Sequence, residues 1–265
     1  MQGMATRELL QWYLEAGVDE SIGDVPMDRF AVAPPRTAAA PAQPPQPSQP
    51  PRPAPQAVPV AEPLASTAAH LATGARTLAE LRQALEAFDD CPLKRTASTT
   101  VFGDGNPEAR VMAIGEAPGA EEDRLGLPFV GPSGKLLDRM LGSIGLERST
   151  NLYITNVINW RPPGNRKPSP EEVAMLLPFI ARHIELVDPG ILILFGGAAA
   201  SALLANSGNI SQLRGRWQDY CSLGLPRPIP TIATYHPAFL LRTPGKKNEA
   251  WRDLLAVRKR LDKGC

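Results

Sequence analysis

Four short apolar runs, each followed by a loop and then a helical pattern, limit what this chain can fold into. They are "RVMAIGEA" (110–117), "NLYITNVI" (151–158), "GILILFGG" (190–197) and "IPTIATYH" (229–236). Helical spacing follows them at about 133–145, 170–187, 197–206 and 247–262, and a further helical stretch at 75–90 precedes them. Strands alternating with helices predict a parallel sheet with helices on both faces. The third run is apolar throughout, as a strand covered on both sides should be. The expected fold class is therefore α/β, a three-layer αβα sandwich around a central four-stranded, mainly parallel sheet. Ligands in such sheets bind beyond the carboxyl ends of the strands, so the residues that close each run are the ones to inspect.

Three of those ends open into loops rich in Gly, Pro and polar groups: "GEAPGAEEDRLGLPFVGPSGKLLDRM", "NVINWRPPGNRKPS" and "YHPAFLLRTPGKKN". The third run gives only "GGAAASALL", which reads as close helix packing. "GPSGKLL" (131–137) lacks the upstream Gly and the Ser/Thr after Lys135 that a phosphate loop needs. "GEAPG" lacks the dinucleotide-binding spacing. What remains is a carboxylate, a carboxamide and an imidazole, Glu116, Asn156 and His236, each at the end of a different strand, with Phe129 nearby. Nothing here supplies a Ser or Cys nucleophile or a cluster of metal ligands. A carboxylate can orient water, and an imidazole can donate to a leaving anion. An amide matches the edge of a planar heterocycle, and an aromatic ring offers it a stacking surface. Together they suit hydrolysis of an N-glycosidic bond. A base in DNA would have to be flipped out first.

The rest of the chain bounds the setting. The chain has 29 prolines, above the usual share, and the excess lies between Val32 and Pro63, a stretch with no aromatics and almost no charge. Such a segment cannot bury enough surface to offset its ordering entropy, so 32–65 reads as an extended linker. Before it, Leu9, Leu10, Tyr13 and Leu14 recur at helical spacing beside Trp12. Residues 1–31 are read as a short helical segment that docks on its own domain or on a protein partner. Residues 66–265 form the remaining domain. No apolar run is long enough to cross a membrane, no secretory signal opens the chain, and Cys91, Cys221 and Cys265 form no close pair. A reducing cytoplasm is expected. With a net charge of +1, a nucleic-acid partner needs a local basic patch. Arg161, Arg166, Lys167, Arg214, Arg216, Arg242, Lys246 and Lys247 cluster in or beside the loops named above.

"VFGDG", "GEAPGAEED", "PFVGPSGKLLD", "YITNVINWRPPGNRKP" and "TYHPAFLLR", in this order and spacing, resemble the uracil-DNA glycosylase superfamily, and most closely its family 4, whose members usually carry an iron–sulfur cluster. The resemblance covers roughly 85–262. It implies an enzyme that hydrolyses the N-glycosidic bond of uracil in DNA, and a monomer is expected. The readings it leaves beside this one are a weakly catalytic or non-catalytic binder of damaged DNA and a glycosylase for another base. It assigns Glu116 to orienting water, Phe129 to stacking on uracil, Asn156 to reading the base edge and His236 to stabilising charge at O2. Ala117 falls in the base-binding set, and Glu122 stands where a side chain crowds C5. On the DNA side the loop charges point to Arg161, Arg166, Lys167 and Arg242, with Ser133 beside them, and the resemblance puts Leu240 in the loop that enters the duplex. In the clustered family four cysteines hold the 4Fe–4S centre. The matching positions here are Phe88, Cys91, Trp160 and Leu176, so the resemblance implies an apolar plug in place of the metal, and no cofactor is expected.

Overall fold

The computed structural model describes residues 64–206 and 208–263. The helical segment expected at 1–31 and the linker up to Pro63 lie outside these residues. In chain order the elements are α1 (Leu64–Gly74), α2 (Leu78–Ala87), β1 (Asp104–Gly105), β2 (Val111–Gly115), α3 (Ala120–Leu125), α4 (Pro132–Gly142), β3 (Leu152–Asn156), α5 (Pro170–Val187), β4 (Ile191–Phe195), α6 (Gly197–Leu204), α7 (Ile210–Leu213), β5 (Trp217–Tyr220), β6 (Ile229–Thr234), α8 (Pro237–Arg242) and α9 (Lys247–Leu261). Helix α1 begins at Leu64, inside the stretch read as linker.

The sheet has six strands in the order β1-β3-β2-β4-β6-β5. Its four central strands are the four apolar runs, all parallel. The two short edge strands, β1 and β5, run antiparallel. The sequence reading missed both. β1 is two residues long, and β5, "WQDY", is polar and only half-buried, so neither carries a strand-like apolar alternation.

Alternation within the central strands builds two cores. Met112, Ile114, Leu192 and Leu194 point to one face and pack with Ala68, Leu81, Leu85, Phe179, Ile180 and Ile184 from α1, α2 and α5. Val111, Ala113, Ile191, Ile193 and Phe195 point to the other and pack with Leu137, Leu141, Leu254 and Val257 from α4 and α9. Every residue of β2, β3 and β4 is buried, as a sheet sandwiched between helices requires. At about 1.5–3 kcal/mol for each large apolar side chain removed from water, the two cores supply the main force that aligns the strand ends.

Local signals set the helix starts that matter for the site. Ser169 caps α5 in a reciprocal box with Glu172, with Pro170 at the first helical position. His236 caps α8 through its own ring, with Pro237 following.

Candidate active site

Sheet register places the site. Gly115 of β2 pairs with Asn156 of β3, and Phe195 of β4 pairs with Thr234 of β6. The parallel strands therefore finish level, and Glu116, Asn156 and His236 emerge at one edge. They line a cavity of about 430 Å³ together with Ala117, Glu122, Phe129, Ser133, Arg166, Lys167 and Arg242. Pro162, Asn165 and Phe239 line it too and were not singled out from the sequence, although all three lie within the motifs quoted there.

The three polar groups differ in how they are held. Asn156 is 2% exposed, yet its carboxamide makes no hydrogen bond to any other described residue. Its amide atoms are not sealed in the core but open on the cavity, where a ligand can supply their hydrogen bonds. The ring of His236 accepts the Ala238 N–H at Nδ1, at 3.1 Å, so the proton of the neutral imidazole sits on Nε2. Burial, with the nearby Arg242 charge, pushes its pKa down to about 4. His236 is thus a neutral Nε2–H donor throughout the physiological range. Burial also pushes the Glu116 carboxyl above its ordinary value, and the charge of Lys167 pulls it partly back.

Phe129 completes the cavity in an unusual backbone state, at φ +54°. A left-handed conformation costs a residue with a side chain about 1–2 kcal/mol, so something must hold it. Its ring stacks near His236, with centroids 5.5 Å apart and planes at 29°, and meets Phe195 edge-on at 6.4 Å. Beneath it, Gly115 leaves room that a Cβ would take from both the Phe129 ring and the Asn156 amide. Behind it, a side chain at Gly134 would collide with the Phe129 carbonyl. Glu122 fixes the following peptides. One carboxylate oxygen accepts the Val130 and Gly131 N–H groups at 2.9 and 2.8 Å, and the other accepts Gly119 N–H at 3.1 Å. Glu122 lines the cavity, but its carboxylate is committed to joining the "GEAPG" and "PFVG" loops.

The family model for the uracil DNA glycosylase superfamily matches residues 102–255. The chain belongs to that superfamily. Among its relatives, the type-4 uracil-DNA glycosylase of Pyrobaculum aerophilum is 37% identical over 67% of this chain and 91% of its own. Those of Archaeoglobus fulgidus and Thermotoga maritima are 40% and 39% identical, over 63% and 62% of this chain and 84% and 82% of their own.

Two features of this superfamily member correct the sequence reading. Leu240, assigned there to the loop that enters DNA, is fully buried, packed with Leu136, Tyr235 and Ala250. One turn of α8 explains this: Pro237 and Leu240, three residues apart, face inward together, while Leu241 is 44% exposed. The basic rim is also thinner than the count of cations suggests. Arg166 lines the cavity but binds buried Glu172 through two bonds, at 2.8 and 2.6 Å, and holds that carboxyl below its ordinary value. Arg214 is spent on buried Asp253 and on Glu249, and Lys246 on Glu249. Arg161 donates to Asn165 at 2.8 Å. Lys167, Arg216, Arg242 and Lys247 form no ion pair among the described residues.

The four positions that the resemblance matched to cluster cysteines meet in one apolar cluster. Phe88, Cys91, Trp160 and Leu176 are each at most 1% exposed. Trp160 also donates its indole N–H to Thr100 at 3.1 Å, and neighbouring Asn159 exchanges bonds with Val101. The loop that follows Asn156 is thereby pinned to the core. Burial raises the Cys91 thiol pKa. Among the described residues no group of three or more His, Cys, Asp or Glu side chains is placed to hold a metal ion, and one thiol with three hydrocarbon neighbours does not match the donor set of a 4Fe–4S centre.

Proposed function

We propose that this chain is a uracil-DNA glycosylase that flips uracil out of DNA, hydrolyses its N-glycosidic bond and leaves an abasic site, as the first step of base-excision repair. The observation that carries this reading is the amide of Asn156, which has no hydrogen bond to another described residue and opens on the cavity beside the ring of Phe129. Its N–H and C=O together match the adjacent carbonyl and imide edge of uracil, while cytosine presents an amino group and a bare ring nitrogen there. Phe129 offers the stacking face. As the bond to the sugar breaks, negative charge gathers on the base, and the neutral Nε2–H of His236 is the donor fixed in place to meet it. Glu116 orients the attacking water and its charge favours a cationic sugar. Lys167, Arg242 and Lys247 carry the phosphate contacts, and Leu241 takes the place given to Leu240 as the apolar side chain facing the duplex. No step runs through a metal: packing of Phe88, Trp160 and Leu176 takes over the structural work of an iron–sulfur centre.

Release of free uracil from oligonucleotides, with a thymine-mismatch control, tests the assignment. Tight binding of uracil-containing DNA without release would make the protein a binding module instead.

Protonation provides a second test. Glu116 must be a carboxylate to work, and its pKa is raised, so activity should fall as pH drops through a value above the ordinary glutamate range. His236, with its pKa near 4, should add no inflection near 6.5. The acid limb should disappear in Glu116→Gln, leaving a slow, flat profile. It should move to higher pH in Lys167→Met, which removes a charge favouring the carboxylate. An unchanged limb in Glu116→Gln would assign it to another group.

A further inference from the structure

We propose that Arg148, which does not line the cavity, is the positioning residue that holds the base-stacking ring of Phe129 in its working orientation. The proposal rests on the glycosylase reading of the site.

Arg148 lies in the turn before β3, and its side chain is 18% exposed. Its guanidinium donates to two consecutive carbonyls, Pro128 O at 2.7 Å and Phe129 O at 2.6 Å. Two carboxylates hold the guanidinium in turn: Asp104 accepts from the same nitrogen that reaches Pro128, and Asp138 accepts from Nε, both at 2.9 Å. Asp104 is on β1 and Asp138 is on α4, so the fork is braced from two elements before it touches the loop. Bonds from a charged planar fork are stronger and more directional than neutral ones.

The geometry needs such a brace. The peptides on either side of Phe129 are gripped from opposite sides, their carbonyls by Arg148 and the N–H groups of Val130 and Gly131 by Glu122. With both grips in place, a backbone at φ +54° is over-determined and the ring has one orientation, against His236. Without the Arg148 grip, Phe129 can relax toward a right-handed conformation, which swings the ring away from the base. Strain held by surrounding structure in this way is characteristic of functional loops.

The test is a double-mutant cycle. Arg148→Met should slow single-turnover uracil release about 10–100-fold and weaken inhibition by free uracil about tenfold, while binding to undamaged DNA stays within twofold. In a Phe129→Ala background the same substitution should change neither rate nor uracil inhibition by more than about twofold, because the ring it acts through is gone. Arg148→Lys, which can reach one carbonyl, should recover part of the loss. If Arg148→Met unfolds the protein, Arg148→Lys carries the same cycle. Equal losses with and without the Phe129 ring would overturn the proposal, as would parental kinetics in Arg148→Met. A parent that releases no uracil would overturn the glycosylase reading itself.

Discussion

Replacing His236 with alanine should slow uracil release about 10²–10³-fold under single-turnover conditions, while binding to uracil-containing DNA changes little. The magnitude follows from losing one donor aimed at developing charge in a water-poor site, worth roughly 2.7–4 kcal/mol. The specific geometry makes the loss large. Nδ1 is occupied by Ala238 N–H at 3.1 Å, so the ring cannot turn its other face to the base, and Nε2–H is already directed when substrate arrives. A neutral donor gains most of its interaction energy in the transition state, where the base carries charge, and little with the neutral base in the ground state. Two further variants separate the roles. Asn156→Ala should lose rate and also discrimination against cytosine. Glu116→Gln should lose rate with binding intact. Parental rates in all three would show that the site lies elsewhere.

Substitution of Trp160 by alanine should cost about 3–5 kcal/mol of stability, or roughly 6–20 °C in melting temperature for a domain of this size. Trp160 is 1% exposed and shares a core cluster with Phe88, Cys91 and Leu176. The hole left by an indole there cannot fill, because rigid neighbours surround it, and the Thr100 hydroxyl loses its partner. The loop after Asn156 hangs from this anchor, so base release should fall at temperatures where the variant is still folded. Iron content checks the other half of the idea. Parent protein prepared without oxygen should contain no stoichiometric iron or acid-labile sulfide. A full complement of iron would refute the apolar plug, as would a melting temperature unmoved by Trp160→Ala.

Much of this could be read directly along the chain. Apolar runs buried on both faces announce themselves without tertiary information, so the four central strands and the helices after them were legible within a few residues. Because parallel strands finish at one edge, the closing residues of those runs, Glu116, Asn156 and His236, could be nominated as neighbours from topology alone. The short edge strands could not. β1 and β5 are defined by pairing to a partner already in place, not by an alternation of their own.

The remaining decisions depend on groups far apart in sequence or on which way one helical turn faces. Leu240 and Leu241 are the same residue type, and only the docking of α8 against Leu136 and Ala250 sends one inside and leaves the other at the surface. Arg166 and Lys167 are adjacent cations, but the fold gives Arg166 a buried carboxylate partner and leaves Lys167 facing the cavity. Arg148 is 19 residues from Phe129, in a turn with no local signal of function. The chain's local chemistry determined which groups could act on a base. Hydrogen bonds and contacts closed across long loops decided which of them are free to do so and which hold the others still, because a charge or an apolar face is available only when no partner from another element has claimed it.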